Sequence, residues 1–274
     1  MLSIINTADI YDRQPSVNDR MECIFSPDDI DKLPQASDLI NKDGAATIYA
    51  HEITIITGTE AARTALFAKM LAATVIMRNY PFATGMTSQL EDGKVLWIDS
   101  VNSLQATAQL ASDMKIIANA NSKNFHIAAL TALGSDQEYE SIVKEVILES
   151  VSQFTPNLII INDLDNLFHF VRYGFAKGFV DFLRDYANKN DTAICVIGHN
   201  LIGKVKKTTG YAGEILYPLA STIYRVSERS KKESAITRVS CYKTFQQCPK
   251  DFAFTINELN FPQQVNSEQE TATQ

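Results

Sequence analysis

The chain has 274 residues, of which 45% are hydrophobic and 21% are charged, and its formal net charge is −7. This composition is typical of a globular protein with an ordinary buried core, and it excludes a wholly disordered chain, a collagen-like repeat and a small disulfide scaffold. The four cysteines form no CxxC pair, and no Cys or His spacing matches a structural zinc site. We therefore expect no metal centre of that kind and a reducing, cytoplasmic environment.

Residues 1–45 are polar and rich in turn-forming residues, and we predict that they form an N-terminal arm. From residue 52 onward, apolar strands alternate with helices. The predicted strands are 52–58, 94–99, 125–130, 157–163 and 192–200, and the predicted helices are 60–79, 101–120, 139–154 and 175–190. Two further strands, 221–229 and 235–243, are predicted to pair with each other.

Continuous apolar strands that alternate with helices predict an α/β fold, with a mostly parallel central sheet flanked by helices on both faces. We place this core domain at residues 46–260 and predict that the polar residues 261–274 form a disordered tail. The longest apolar stretch, residues 65–77, contains Lys69 and is too short to cross a bilayer, so no membrane contact is expected.

The turn after the first core strand is the place to look for a phosphate-binding loop, because backbone N–H groups and the helix dipole stabilise phosphate there. This turn begins with Gly58 and Thr59. Aligned without a gap to GxxxxGK[ST], it has Arg63 at the second glycine and Thr64 at the lysine. Shortened by one residue, it has Arg63 at the lysine and Thr64 at the Ser/Thr position. Neither register is complete, so an ordinary strand-to-helix turn remains the alternative.

This loop is followed in order by VLWIDSVNSL, NLIIINDLDNL and AICVIGHN, and the four segments together resemble the RecA-like ATPases. That family includes recombinases and hexameric replicative helicases. The similarity covers residues 45–260 and is closest to ATPases of plasmid and mobile-element replication or mobilisation, in which an Arg often precedes the loop lysine. The resemblance therefore favours the ungapped register and implies a P-loop NTPase fold, a Mg·ATP site and a ring or filament of identical subunits.

Matching the strands to that family assigns candidate nucleotide-binding residues at their carboxyl ends. Asn162 occupies the position of the Asp that organises Mg²⁺. Asp163 follows it and points to the opposite face, so Asp163 could replace the missing Asp only if the strand has already ended there. His199 occupies the sensing position, and Asp99 ends a strand where ligands of open α/β sheets bind. Val101 stands where the family has the Glu that activates water.

The departures from the family pattern predict a protein that does not hydrolyse ATP. Thr64 lacks the positive charge of the loop lysine, Asn162 lacks the negative charge that holds the metal, and Val101 cannot deprotonate water. Loss of one positioned base alone lowers a rate by about 10² to 10⁴. We accordingly name no catalytic residue and no metal ligand, and we expect Mg·ATP to bind weakly or not at all.

Residues 201–250 contain ten Lys or Arg against three acidic residues, so this segment is +7 while the remainder of the chain is −14. Such asymmetry indicates a surface that faces a polyanion. By resemblance, Lys204, Lys206 and Lys207 fall in the family's second DNA-binding loop. Arg172 and Lys177 fall at the position of the family's first DNA-binding loop. The alternative is that these basic residues are merely solvated, and the net charge of −7 argues against tight sequence-independent binding.

The resulting hypothesis is a degenerate RecA-like protein that associates with DNA or with replication or mobilisation proteins. One alternative is an active ATPase or helicase-type motor with an unusual phosphate loop. The other is a structural or regulatory domain that binds neither nucleotide nor DNA. Arg63 distinguishes the first two, because its removal abolishes turnover only if turnover exists.

Overall fold

The computed structural model describes residues 37–58, 63–83, 85–133, 139–163, 173–199, 210–228 and 236–265. The strands are β1 Asp38–Lys42, β2 Ala45–Tyr49, β3 Ile53–Gly58, β4 Met86–Ser88, β5 Val95–Asp99, β6 Phe125–Ala129, β7 Leu158–Asn162, β8 Ala193–His199, β9 Thr222–Glu228, β10 Thr237–Lys243, β11 Phe252–Ile256 and β12 Pro262–Gln264. The α-helices are α1 Thr64–Met77, α2 Leu104–Ala118, α3 Tyr139–Gln153, α4 Tyr173–Asn190 and α5 Gly210–Leu219.

Nine strands form the central sheet in the order β12-β11-β10-β9-β3-β8-β7-β5-β6. The six strands from β9 to β6 run parallel to one another, and β10, β11 and β12 extend the sheet through antiparallel pairs. The predicted α/β architecture with a mostly parallel central sheet is therefore confirmed. The predicted pairing of the strands that became β9 and β10 is also confirmed, with Arg238 opposite Ser227.

The central strands are buried on both faces, which explains why they are apolar at successive positions. Every residue of β7 is buried, as is every residue of β3 and β5. One face packs against α1 and α2, through residues such as Phe67 and Met114. The other face packs against α3, α4 and α5, through residues such as Ile147, Leu183 and Leu216.

A second, antiparallel sheet has the order β2-β1-β4 and was not predicted from the sequence. Its β1–β2 hairpin turns at Asp43 and Gly44, both with positive φ, at 53° and 82°. Two consecutive positive φ values are the requirement of a two-residue type I′ turn, and Asp-Gly is one of its preferred dipeptides. The sheet adds buried residues, including Ile40 and Ile48, to the core on the α1 face.

The folded core extends beyond the limits predicted for it, residues 46–260. The strand β1 lies before residue 46, and β12 lies after residue 260. Both segments contribute fully buried side chains, Ile40 and Phe261, so their apolar residues belong to the core rather than to an arm or a tail. The remaining parts of the predicted arm and tail, 1–36 and 266–274, lie outside the described residues.

No helix in the described part of the chain is both long enough and apolar enough to cross a membrane.

Candidate functional site

The carboxyl ends of β3, β8, β7 and β5 lie side by side, because these strands are parallel neighbours in that order. At this edge Gly58 of β3 is the Cα partner of His199 of β8, and Asp99 of β5 is the Cα partner of Asn162 of β7. The four strand ends that carry the resemblance are thus adjacent in space. The crevice outside the carboxyl ends of parallel strands is the usual ligand position in open α/β sheets.

The helix α1 begins directly after the candidate phosphate loop and differs from its prediction at the amino end. The predicted helix starts at residue 60, whereas α1 starts at Thr64. Arg63, at the N-cap position, has a left-handed backbone with φ of 55°, and its side chain makes no capping hydrogen bond. Its carbonyl oxygen accepts from the N–H groups of Leu66 and Phe67 at 3.0 and 3.3 Å. Thr64 is buried, and Thr59 lies outside the described residues.

Asp99 is fully buried, accepts four hydrogen bonds from the protein and has a longer contact to a fifth donor. Its Oδ1 accepts from the backbone N–H groups of Val101 at 3.2 Å and Asn102 at 3.0 Å. The same oxygen accepts from Nδ2 of Asn162, across the sheet, at 3.3 Å. Its Oδ2 accepts from Asn102 Nδ2 at 2.7 Å and lies 3.5 Å from Thr107 Oγ1. The carboxylate therefore organises the turn between β5 and α2 and ties that turn to β7.

Ser100 joins the ends of β5 and β7 a second time. Its Oγ donates to the carbonyl oxygens of Asn162 and Asp163, at 2.8 and 2.9 Å. Asp163 has φ of 65°, so the chain leaves the extended conformation directly after β7. The predicted strand 157–163 therefore ends one residue early, at Asn162, and the prediction that Asp163 continues the strand on its opposite face is wrong.

The described residues at this edge do not fit a Mg²⁺ site of the kind that the resemblance implies. A carboxylate offers about four lone-pair directions, and four donors meet Asp99, three at Oδ1 and one at Oδ2. Thr107 Oγ1 lies 3.5 Å from Oδ2 and closer, at 3.2 Å, to the carbonyl oxygen of Ser103. Asn162 contributes an amide that donates to this carboxylate. Val101, at the position of the catalytic Glu, is an apolar side chain with 45% of its surface exposed. Among the described residues, no group of three or more His, Cys, Asp or Glu could hold a metal ion.

The remaining predicted residues are only partly described. The backbone of His199 pairs with Gly58 of β3, and its side chain is not among the parts of the chain that the structure describes. Lys177 lies in α4, where its ammonium is paired with Asp181 one turn further along the same helix. Arg172, Lys204, Lys206 and Lys207 all lie outside the described residues.

The structure adds Ser100, Asn102 and Thr107 to the residues predicted at this edge. A local signal for Asn102 was available, since an Asp that follows a strand often accepts from backbone N–H groups two or three residues later. Ser103 is the N-cap of α2 and accepts from the N–H of Ala106 at 3.3 Å. The contact between Asp99 and Asn162 spans 63 residues of sequence and has no local signal.

No protein-family model matches the chain, and a search of curated proteins finds no match either. The RecA-like assignment therefore depends on the order of the four sequence segments alone.

Proposed function

We propose that this protein is a RecA-like protein without ATPase activity, which acts as a DNA-associated or partner-binding component of a mobile-element replication or mobilisation system. The proposed lack of ATPase activity is supported chiefly by the hydrogen bonds of Asp99. This buried carboxylate already accepts four hydrogen bonds from the protein itself, besides a longer contact to the Thr107 hydroxyl. It serves as a structural acceptor, and a metal ion or a water molecule would have to displace those donors.

The basic residues of α1 and its N-cap, Lys69 and Arg63, support the same proposal. A triphosphate needs counter-charges, supplied in P-loop ATPases by a lysine and a metal ion. Lys69 is the one lysine within α1, and its ammonium is bonded to Asp113 and to the carbonyl oxygen of Asn260. Its ammonium is therefore engaged with α2 and with the turn between β11 and β12. Arg63 is the basic residue at the start of α1, and a guanidinium can bind a phosphate without supporting hydrolysis.

A partner-binding role is supported by the solvent side of α2. Leu104, the first residue of α2, and Ile116, near its end, each expose more than half of their surface, and Val101 lies exposed just before the helix. Within α2 only Asp113 and Lys115 are charged, and Asp113 is buried in an ion pair. Exposed apolar side chains on a helix with a single exposed charge are a feature of surfaces that contact other proteins, and Gln105, Gln109 and Ser112 are exposed between them.

The hydrolysis part is tested by phosphate release from Mg·ATP, together with calorimetric titration up to millimolar nucleotide. We expect no turnover above that of an Arg63→Ala variant. One-to-one binding of Mg·ATP that is lost in Arg63→Ala would assign a non-hydrolysing nucleotide site. Turnover that Arg63→Ala abolishes would contradict the proposal and establish the active ATPase instead.

The DNA part is tested by fluorescence anisotropy with single-stranded and duplex oligonucleotides at two salt concentrations. Replacing Lys204, Lys206 and Lys207 together by Ala should weaken binding and reduce its salt dependence, because fewer counterions are then released. The matched control removes three lysines outside this segment, Lys115, Lys123 and Lys189, all exposed. Equal effects of the two triple variants would contradict a specific DNA-binding role for Lys204, Lys206 and Lys207.

A further inference from the structure

The strands β9 and β10 expose a basic face where the central sheet becomes antiparallel. Along β10, Val239 and Cys241 pack against the core. Because successive residues of a strand alternate between its two faces, Arg238, Ser240 and Tyr242 project from the opposite side. Arg238 is exposed, and Tyr242 has 51% of its surface open to solvent. One face of β10 thus presents a guanidinium and an aromatic ring.

The register between the two strands sets Arg225 of β9 in the middle of this face. Arg225 is the Cα partner of Ser240, and Arg238 is the Cα partner of Ser227. Directly opposed residues share a face, and diagonal neighbours such as Arg225 and Arg238 are about 7–8 Å apart. Two guanidinium groups and two hydroxyl groups, which all donate hydrogen bonds, therefore lie next to one another.

The positive charge of this cluster is only partly neutralised within the described part of the chain. Arg238 Nη2 lies 3.4 Å from Asp251 Oδ2, and the same oxygen accepts from Ser240 Oγ at 2.8 Å. Arg225 is exposed, and no carboxylate of the described residues pairs with it. Its guanidinium can therefore bind an external anion, for which its planar donor groups are well suited.

The helix α5 covers the beginning of this face and leaves Arg225 open. Leu216 of α5 and Ile223 of β9 belong to the same apolar cluster. Lys243, the Cα partner of Ile223, donates from Nζ to the carbonyl oxygen of Pro218 in α5 at 3.0 Å. Arg225 follows Ile223 by two residues on the same face, and it is exposed. The helix therefore ends its cover of β9 before the arginine.

The sequence around this face has a local excess of positive charge. The segment 225–243 contains six basic and two acidic residues, a net charge of +4 in a chain whose net charge is −7. Three of the basic residues, Arg229, Lys231 and Lys232, lie between the two strands in sequence and outside the described residues. A concentration of one sign of charge on an otherwise acidic protein attracts a polyanion.

We propose that this face of β9 and β10 binds single-stranded nucleic acid, with Arg225 on a phosphate and the ring of Tyr242 stacked on a neighbouring base. Basic groups beside an exposed aromatic ring are the usual elements of a single-strand surface, because unpaired bases offer their flat faces for stacking. A duplex keeps those faces within its own stack. The inference rests on the proposed association with DNA and adds to it a surface separate from Lys204, Lys206 and Lys207.

The test is fluorescence anisotropy of the full-length protein with a labelled oligothymidylate and with a duplex, over a series of salt concentrations. Tyr242→Leu should weaken single-strand binding by about ten-fold or more, with little effect on duplex binding. Arg225→Gln should weaken binding and reduce the slope of log K against log salt by about 0.7, the value for one phosphate contact on a single strand.

Two control variants are matched to these changes. Lys123→Gln removes one exposed positive charge just before β6, at the opposite end of the strand order. Phe245→Leu removes an exposed aromatic ring that packs edge-on against Tyr49, with 5.8 Å between centroids. Both controls should bind the oligothymidylate as the wild-type protein does. Thermal denaturation of all four variants confirms that they are folded.

The outcomes separate this inference from the proposed function. If the wild-type protein binds and replacement of Lys204, Lys206 and Lys207 weakens binding, while Arg225→Gln and Tyr242→Leu match their controls, the inference is overturned and the DNA proposal stands. Binding of the duplex alone would also overturn it. An effect of Arg225→Gln without one of Tyr242→Leu would overturn the stacking role and leave a surface that binds anions generally. Loss of single-strand binding in both variants supports the inference, whatever the lysine variant does.

Discussion

The ammonium of Lys69 and the carboxylate of Asp113 form a buried ion pair between α1 and α2, with Nζ 2.6 Å from Oδ2. Their side chains are only 5% and 7% exposed. Lys69 also donates to the carbonyl oxygen of Asn260 at 2.8 Å, and its ammonium lies 4.0 Å from the centroid of the Phe261 ring. Gln109 donates to the other carboxylate oxygen of Asp113 at 2.7 Å. The pair thereby joins two helices to the turn between β11 and β12.

Removing one member of this pair should destabilise the protein strongly. Lys69→Met leaves the Asp113 carboxylate buried without its cation, which typically lowers the free energy of unfolding by about 3–5 kcal/mol. Urea denaturation measures this loss. The double variant Lys69→Met/Asp113→Leu removes both charges and should be more stable than Lys69→Met alone. A double variant that is less stable than either single variant would show that the pair is not the source of the effect.

Alanine substitutions at two glycines should change the free energy of unfolding in opposite directions. A Cβ atom at Gly93 would lie 2.4 Å from the carbonyl oxygen of Val75, whereas a Cβ at Gly178 would meet no atom within 4 Å. Gly93→Ala should therefore lower the free energy of unfolding by about 1–3 kcal/mol through overpacking. Gly178→Ala, in the middle of α4, should raise it by about 0.5–1 kcal/mol. Thermal denaturation of both variants gives the comparison.

Asp99→Asn tests whether this carboxylate is a structural acceptor. The new amide group would direct N–H donors at groups that already donate, so we expect a loss of about 1–3 kcal/mol in the free energy of unfolding. Asp181→Asn is the control, since that residue forms an exposed pair within α4 and should change stability by less than about 0.5 kcal/mol. If Asp99→Asn is as stable as the wild-type protein but changes the binding of Mg·ATP, Asp99 takes part in nucleotide binding and is not only a structural acceptor.

We expect Glu52 to make the free energy of unfolding depend on pH above the range in which a glutamate ordinarily titrates. Burial raises the pKa of Glu52 above 4.5, although His51, the N–H of Ile53 and Lys243 partly oppose the shift. The folded protein then binds this proton more tightly than the unfolded chain does. Its contribution is fully present below pH 4.5 and is lost as the pH rises through the folded-state pKa.

Glu52→Gln provides the measurement, because the amide stays neutral at every pH. Urea midpoints recorded from about pH 4 to about pH 8 should diverge in favour of the variant as the pH rises. The two proteins should be closest at the acid end of the series. A constant difference across the series would mean that Glu52 affects packing and not proton binding.

The central sheet could be predicted because its signal is local and repeated. Runs such as Leu158–Asn162 are apolar at consecutive positions, as strands buried on both faces must be. The small antiparallel sheet was missed although the dipeptide Asp43–Gly44 is a recognised hairpin signal, because the flanking strands are only five residues long. The hydrogen bond between Asp99 and Asn162 could not be predicted, because only the pairing of strands in the sheet brings these two residues close together.

The position of β3 in the sheet has a consequence for biosynthesis. Its parallel neighbours are β8 and β9, and the bond from Ser221 Oγ to the carbonyl oxygen of Ile53 closes a separation of 168 residues. During synthesis on the ribosome, the apolar strand β3 (ITIITG) remains unpaired until β8 and β9, which lie much later in the chain, have been made. Such distant pairing slows folding and exposes an aggregation-prone edge. Nascent chains that stop before β9 should therefore depend on chaperones to remain in solution.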